Sequence, residues 1–138
     1  EFANICLFCN MGIEVKKINE FKGHIQAVYT LFANPLNPKI FYSGGADGLL
    51  VEWNTDNPQE GQVIVQIKTP IYSFAFVNQY LWVGCSTGNV HIIDLEARKE
   101  VKNYQLNSGA IFDIKYEFPC GIFIATAQGK LFHFQEDG

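Results

Sequence analysis

An all-β fold built from repeated four-stranded antiparallel units is what this sequence predicts, on three observations. First, short segments rich in Val, Ile, Tyr, Phe and Thr recur between the turn clusters NPLNP, SGGADG, TDNPQEG, STGN and NSG, which is the signature of strands and hairpins. Second, the chain repeats itself. Aligning SGGADGLLVEWN (43–54), VGCSTGNVHIID (83–94) and IATAQGKLFHFQ (124–135) superposes Gly48, Gly88 and Gly129 at spacings of 40 and 41 residues, and Trp53, Ile93 and Phe134 follow at the same spacings. Third, AVYTLFA (27–33), PIYSFAF (70–76) and AIFDIKY (110–116) align as a second element ahead of each glycine turn. A repeat of about 40 residues holding four strands, apolar on both faces, is the pattern of a β-propeller blade, whose sheets pack on neighbours front and back. A sandwich strand alternates apolar and polar instead.

Each unit then reads in order as an apolar first strand, a strand running into the glycine turn, a third strand after it, and a connecting strand. The connectors are VKKINEF, VIVQIKT and EVKNYQL. The spacing gives an outer strand at 13–21, blade one at about 22–69, blade two at about 70–109 and blade three at about 110–138. Only LEARKEV (95–101) has helix-forming composition, and it is too short to stand as a helix unaided. The sole methionine is Met11, and the regular pattern begins directly after it. Residues 1–10 lack the charged start and cleavage site of a signal peptide, so they are expected to be a non-native or disordered segment.

The first unit carries more than period. Gly23-His24 followed by SGGADGLLVEWN resembles a WD-repeat, and the resemblance extends over residues 13–138. It implies a relay inside the blade in which Asp47 orients His24, His24 reaches Ser43, and Ser43 meets the Trp53 indole N–H. The later units lack it: Ile67, Val83, Thr87 and Ile93 stand at those positions in the second, and Asn107, Ile124, Gln128 and Phe134 in the third. A His-Ser-Asp trio also suggests a hydrolase. Such a trio is recognised by geometry and roles, and here the serine falls inside a strand with neither a GxSxG elbow nor oxyanion donors. The relay is therefore expected to be structural, and no catalytic residue is assigned.

Propellers typically have four to eight blades, so a seven-bladed ring would need roughly 290 residues. The expectation is three four-stranded blades of an incomplete, seven-bladed WD-repeat β-propeller, the N-terminal part of a longer one. The resemblance implies that the N-terminal strand completes the last blade. Self-association of short chains is the other way to close the ring.

Composition bounds the function. The 138 residues are 48% hydrophobic and 17% charged, as for an ordinary globular domain, and carry a net charge of −4 with one arginine, Arg98. That balance argues against nucleic acid. Asp113, Lys115 and Glu117 break the most apolar stretch, so no membrane-spanning run exists. Cys6 and Cys9 form one CxxC near the start, and Cys85 and Cys120 lie singly in apolar stretches. This fits reduced thiols, two of them small buried hydrophobes, and a cytoplasmic protein. The histidines His24, His91 and His133 are not spaced as metal ligands, and His91 and His133 face opposite sides, so no metal or other cofactor is expected. Glu14, Glu20, Asp94, Glu96 and Glu100 read as solvated charges.

Function is then expected on the rim. The resemblance places the residue after the first apolar position of each innermost strand at the upper channel mouth, and these residues are Tyr29, Tyr72 and Phe112. Aromatic side chains dominate binding hot spots. Lys22, Gln26, Ser86 and Asn107 are the expected polar contacts. The reading is a non-catalytic scaffold binding peptides or loops of other proteins. The alternative is a metal-dependent propeller hydrolase or lyase whose catalytic residues lie beyond residue 138, with Asp113 near the channel.

Overall fold

A computed structural model of the chain describes residues 12–136. The expectations about residues 1–10, Cys6, Cys9 and Met11 fall outside that range. Eleven strands and no helix are found among the described residues: β1 (Val28–Ala33), β2 (Ile40–Gly45), β3 (Leu49–Asn54), β4 (Gln62–Gln66), β5 (Ile71–Val77), β6 (Tyr80–Cys85), β7 (Asn89–Asp94), β8 (Lys99–Gln105), β9 (Ile111–Glu117), β10 (Gly121–Thr126) and β11 (Leu131–Phe134).

They form three antiparallel sheets in simple sequential order, β1-β2-β3-β4, β5-β6-β7-β8 and the three-stranded β9-β10-β11. The repeat inferred from the glycines is carried by local geometry. Gly48, Gly88 and Gly129 have φ of +74°, +88° and +77°, the left-handed region that a side chain rarely adopts and a tight hairpin demands. Ahead of each first strand, the carbonyls of Ala27, Pro70 and Ala110 accept the N–H of Ala46, Ser86 and Ala127 at 2.8, 3.0 and 2.9 Å. The same bond thus recurs in each sheet and ties its first strand to its glycine turn.

The sheets stack face to face, and the middle one is buried on both sides. Leu81, Val83, Cys85 and Ile93 pack with Tyr42, Leu50, Ile64 and Ile67 of the first sheet. Ala75, Val77, Val90 and Ile92 pack with Ile111, Ile114, Ile122 and Ile124 of the third. Alternation along β6 and β7 sends successive side chains to opposite faces, so two apolar interfaces require apolar residues at both parities. Gly44 and Gly84 allow the close approach. A Cβ at Gly44 would press on Ile71 and Phe74, and one at Gly84 on Ile111.

Two expectations change. Residues 13–21 form no strand beyond an isolated bridge at Ile13, because their apolar residues Ile13, Val15, Ile18 and Phe21 do not keep the period of two that a strand face needs. The third unit shows three strands among the described residues where four were expected. LEARKEV forms no helix, in line with its shortness, and is a turn followed by β8, with Asp94 Oδ1 accepting the N–H of Glu96 and Ala97.

Candidate functional site

Two constellations stand out, one buried and one exposed. The buried one is the relay. His24 Nδ1 lies 3.0 and 2.9 Å from the two carboxylate oxygens of Asp47, and Nε2 lies 2.6 Å from Ser43 Oγ. A carboxylate only accepts, so Nδ1 carries the proton. Nε2 is then the acceptor of a hydrogen bond that the Ser43 hydroxyl donates, and Ser43 Oγ accepts from the Trp53 indole N–H at 2.7 Å. Asp47 also accepts the backbone N–H of Leu49 at 3.1 Å and of Ile25 at 3.2 Å. Burial pushes the Asp47 carboxyl upward, but the Leu49 N–H, the His24 ring and the Ile25 N–H outweigh it and hold the group below its ordinary value.

The relay fastens the segment before β1 onto the outer face of the first sheet. Phe21 meets Phe41 and Trp53 edge-on at 5.0 and 5.5 Å. Gly23 and Gly61 lie so close to the indole that a Cβ at either would touch it, which leaves Trp53 2% exposed. In the second sheet, Ile67, Val83 and Ile93 pack in the core where the relay would stand, while Thr87 turns outward to Asn89. In the third, Ile124 is buried, Phe134 is half-exposed, and Asn107 and Gln128 are exposed in turns. A hydroxyl pair that no repeat position signalled appears there instead, Ser108 Oγ to Thr126 Oγ1 at 2.7 Å, fully enclosed.

The exposed constellation joins Tyr29, Tyr72 and Phe112 into one line. Tyr29 meets Tyr72 edge-on at 5.2 Å, and Tyr72 stacks on Phe112 at 5.7 Å. Each is the extra residue of a β-bulge. Val28 pairs with Gly45 and Thr30 with Gly44, skipping Tyr29. Ile71 pairs with Cys85 and Ser73 with Gly84, skipping Tyr72. Ile111 pairs with Thr126 and Asp113 with Ala125, skipping Phe112. A bulge re-aims the side chain it releases from the ladder, and three equivalent bulges aim three rings the same way. Tyr29 and Phe112 remain 51% and 57% exposed. The rings head an open groove of about 470 Å³ along β1, β5 and β9, walled by Leu31, Phe76, Asp113 and Lys115 among others.

Lys22, Gln26, Ser86 and Asn107 do not line that groove. Lys22 pairs with Glu20 at 3.0 Å, and the Ser86 and Asn107 backbone N–H groups are held in turns by Pro70 and Gln105. Asp113 does line it, beside Lys115 Nζ at 3.6 Å. His91 Nδ1 bonds Glu100, so Glu100 is not simply solvated. His133 donates to the Cys120 carbonyl at 2.6 Å and stacks on Phe123. Cys85 is buried, with its thiol pushed up to about 11 chiefly by burial. Cys120 is exposed, because it sits in the hairpin between β9 and β10 and not in a strand. Among the described residues no three His, Cys, Asp or Glu side chains converge as metal ligands, and no helix is long and apolar enough to cross a membrane.

No protein-family model matches the sequence, and no curated protein does. Among solved structures, the chain is similar to the computationally designed Ika4 protein, with a TM-score of 0.66 and 17% identity over 83% of this chain and 69% of that one. It is also similar to the computationally designed Ika8 protein, with a TM-score of 0.68 and 17% identity over 82% of this chain and 34% of that one. At such identity the likeness concerns the arrangement of the sheets alone.

Proposed function

We propose that the chain is three blades of a WD-repeat β-propeller and serves as a non-catalytic protein-interaction scaffold, taking a peptide or loop of a partner protein on the Tyr29-Tyr72-Phe112 line. The observation that carries this reading is the triple bulge: three sheets each release one ring from the ladder at the same step, and the rings touch. Rings held by one another lose little freedom on binding, which is what makes aromatic residues effective anchors. The neighbouring groove offers apolar wall from Leu31 and Phe76, with one carboxylate and one ammonium, Asp113 and Lys115, to orient a backbone or a polar side chain.

The test is selection of peptides from a displayed library on the intact chain, followed by rebinding to Tyr29→Ala, Tyr72→Ala and the double variant. A central aromatic anchor is worth about 2 kcal/mol, so each single variant should weaken binding about 30-fold, with the circular dichroism unchanged. Undiminished binding to the double variant refutes the assignment. The hydrolase or lyase alternative has one groove carboxylate to draw on, Asp113. It predicts stoichiometric divalent metal in the dialysed full-length protein, whereas the scaffold predicts none.

A further inference from the structure

Two strands, β4 and β8, close four-stranded sheets and pair only inward among the described residues, with β3 and β7. Their outer edges lie well within the chain, since β5 and β9 follow them and open the next sheets. The two edges differ in what they offer. β8 is exposed along its whole length and carries Lys99, Glu100 and Lys102. Charges along an edge guard it against another strand, because pairing would strip them of water or set like against like. β4 has no such guard. Residues 61–67 read GQVIVQI, without one charge, and Gln62, Val63 and Gln66 are exposed.

The β4 sequence also reads the same in both directions. Gln62-Val63-Ile64-Val65-Gln66 is symmetric about Ile64, and Glu60 and Lys68 stand four residues to either side of it. Antiparallel pairing of β4 with β4 of a second copy, on a two-fold axis at Ile64, sets Gln62 opposite Gln66, Val63 opposite Val65 and Glu60 opposite Lys68, each twice over. Opposite charges thus meet at both ends of the ladder, which favours the pairing. About its own centre, β8 would instead set Lys102 against Lys102.

The bulge in β4 narrows the choice of partner. Val65 pairs with Leu50 and Val63 with Val51, so Ile64 is an extra residue that the β3 ladder skips. A bulge bends its strand and throws a regular partner out of step. A second β4 on the axis at Ile64 carries its own extra residue at the same place, so bulge faces bulge and the count is restored. The Ile67 N–H turns inward to the Gly48 carbonyl at 2.7 Å, and by the alternation of an antiparallel ladder the Gln66 N–H turns outward.

We propose that two copies of this chain pair through β4, antiparallel about Ile64, and join their first sheets into one of eight strands. The interface is isologous, and a single contact uses up the free β4 edge of both copies, so association stops at two. It is β-strand addition with a second copy as the ligand. The inference stands on the outer edge of the first sheet and is independent of the aromatic line.

The experiment is light scattering after size exclusion on the intact chain and three variants. Gln66→Pro removes the outward N–H and spares the inward ladder, the placement in which an edge strand accepts proline. Lys68→Glu and Glu60→Lys each set like charges opposite at both ends of the ladder. All three residues are exposed, so circular dichroism should be unchanged. The wild type should have twice the mass of the 15.6 kDa chain. Gln66→Pro should be monomeric, and each charge variant should bind itself about tenfold more weakly or worse. Mixing the two charge variants should restore the dimer, because the acidic pair of one then faces the basic pair of the other. A monomeric wild type, an oligomer that survives Gln66→Pro, charge variants as dimeric as the wild type, or a mixture no more dimeric than its components overturns the proposal.

Discussion

Replacing Asp47 with Ala tests the relay quantitatively. Its side chain is 4% exposed and accepts three hydrogen bonds. Ile25 is in an exposed turn, so its N–H finds water when the carboxylate goes. His24 Nδ1 is enclosed with a side-chain exposure of 5%, and the Leu49 N–H is part-buried. Each buried donor left unpaired costs about 1–3 kcal/mol, so the loss should be about 2–4 kcal/mol. At about 3 °C per kcal/mol for a chain of this size, the midpoint should fall about 6–12 °C. Ser43→Ala removes the other end of the same chain of bonds, stranding the Trp53 N–H. The double variant should therefore cost less than the sum of the singles, with a coupling of about 0.5–3 kcal/mol. Urea unfolding followed by Trp fluorescence gives all four values. A loss below about 0.5 kcal/mol for Asp47→Ala, which is the range of surface substitutions, would refute the account of the relay as a buried clasp.

Because the folded Asp47 carboxyl lies below its ordinary value, the unfolded chain binds the extra proton as acid is added. Its contribution is thus complete above the unfolded value of about 3.9 and is lost as pH falls below it toward the folded value, so Asp47→Asn should flatten that part of an acid-unfolding profile. Gly48→Ala combines positive φ with a Cβ driven into the Ile67 carbonyl, while Gly129→Ala has the same φ and open space; thermal melts should show about 1 kcal/mol for Gly129 and clearly more for Gly48. Ile93→Ala opens a cavity in a fully buried site and should cost about 2–5 kcal/mol, against under about 0.5 kcal/mol for Leu36→Ala on the surface. Peptide mapping after alkylation of the native protein should find Cys120 modified and Cys85 protected, with Cys85 released only on unfolding.

The period, the sheet order and the relay were legible in the sequence because each rests on residues with no substitute. Only glycine fills the left-handed turn at 48, 88 and 129 without strain, and only the set His24, Ser43, Asp47 and Trp53 offers a matched chain of donors and acceptors. The aromatic positions 29, 72 and 112 were legible too, but not the bulges that aim them, since a bulge depends on pairing register and leaves no composition of its own. The Ser108–Thr126 bond was invisible for the same kind of reason. Its two hydroxyls sit off the repeat positions, and only the stacking of the sheets brings them together. The strand expected at 13–21 does not form: Ile13, Val15, Ile18 and Phe21 drop the period of two after Val15, so no single face of the segment is apolar. The apolar neighbours of Cys120 in sequence suggest burial, but the hairpin tip that holds it is exposed, with Phe118 nearby at 79%.

The buried trio and the exposed rings have opposite places in the fold, one fastening a segment and the other facing solvent. Ser43 is 3% exposed, and its hydroxyl already donates to His24 and accepts from Trp53. Every proton in the trio thus has an internal destination, and a substrate would have to displace Trp53 to reach it. What the trio does is hold His24 and Phe21 on the first sheet, and so fix the point from which residues 13–21 leave the molecule. Tyr29, Tyr72 and Phe112 have the opposite character: released from the ladder by their bulges, they spend part of their surface on one another and leave the rest to water. A relay restricted to the first sheet follows from this division. The second sheet is covered on both sides by its neighbours and needs only Ile67, Val83 and Ile93 at those positions, whereas the first has an outer face covered by a single irregular segment. Apolar contact alone would let such a segment slide, and directional bonds to Asp47 and Ser43 set its register.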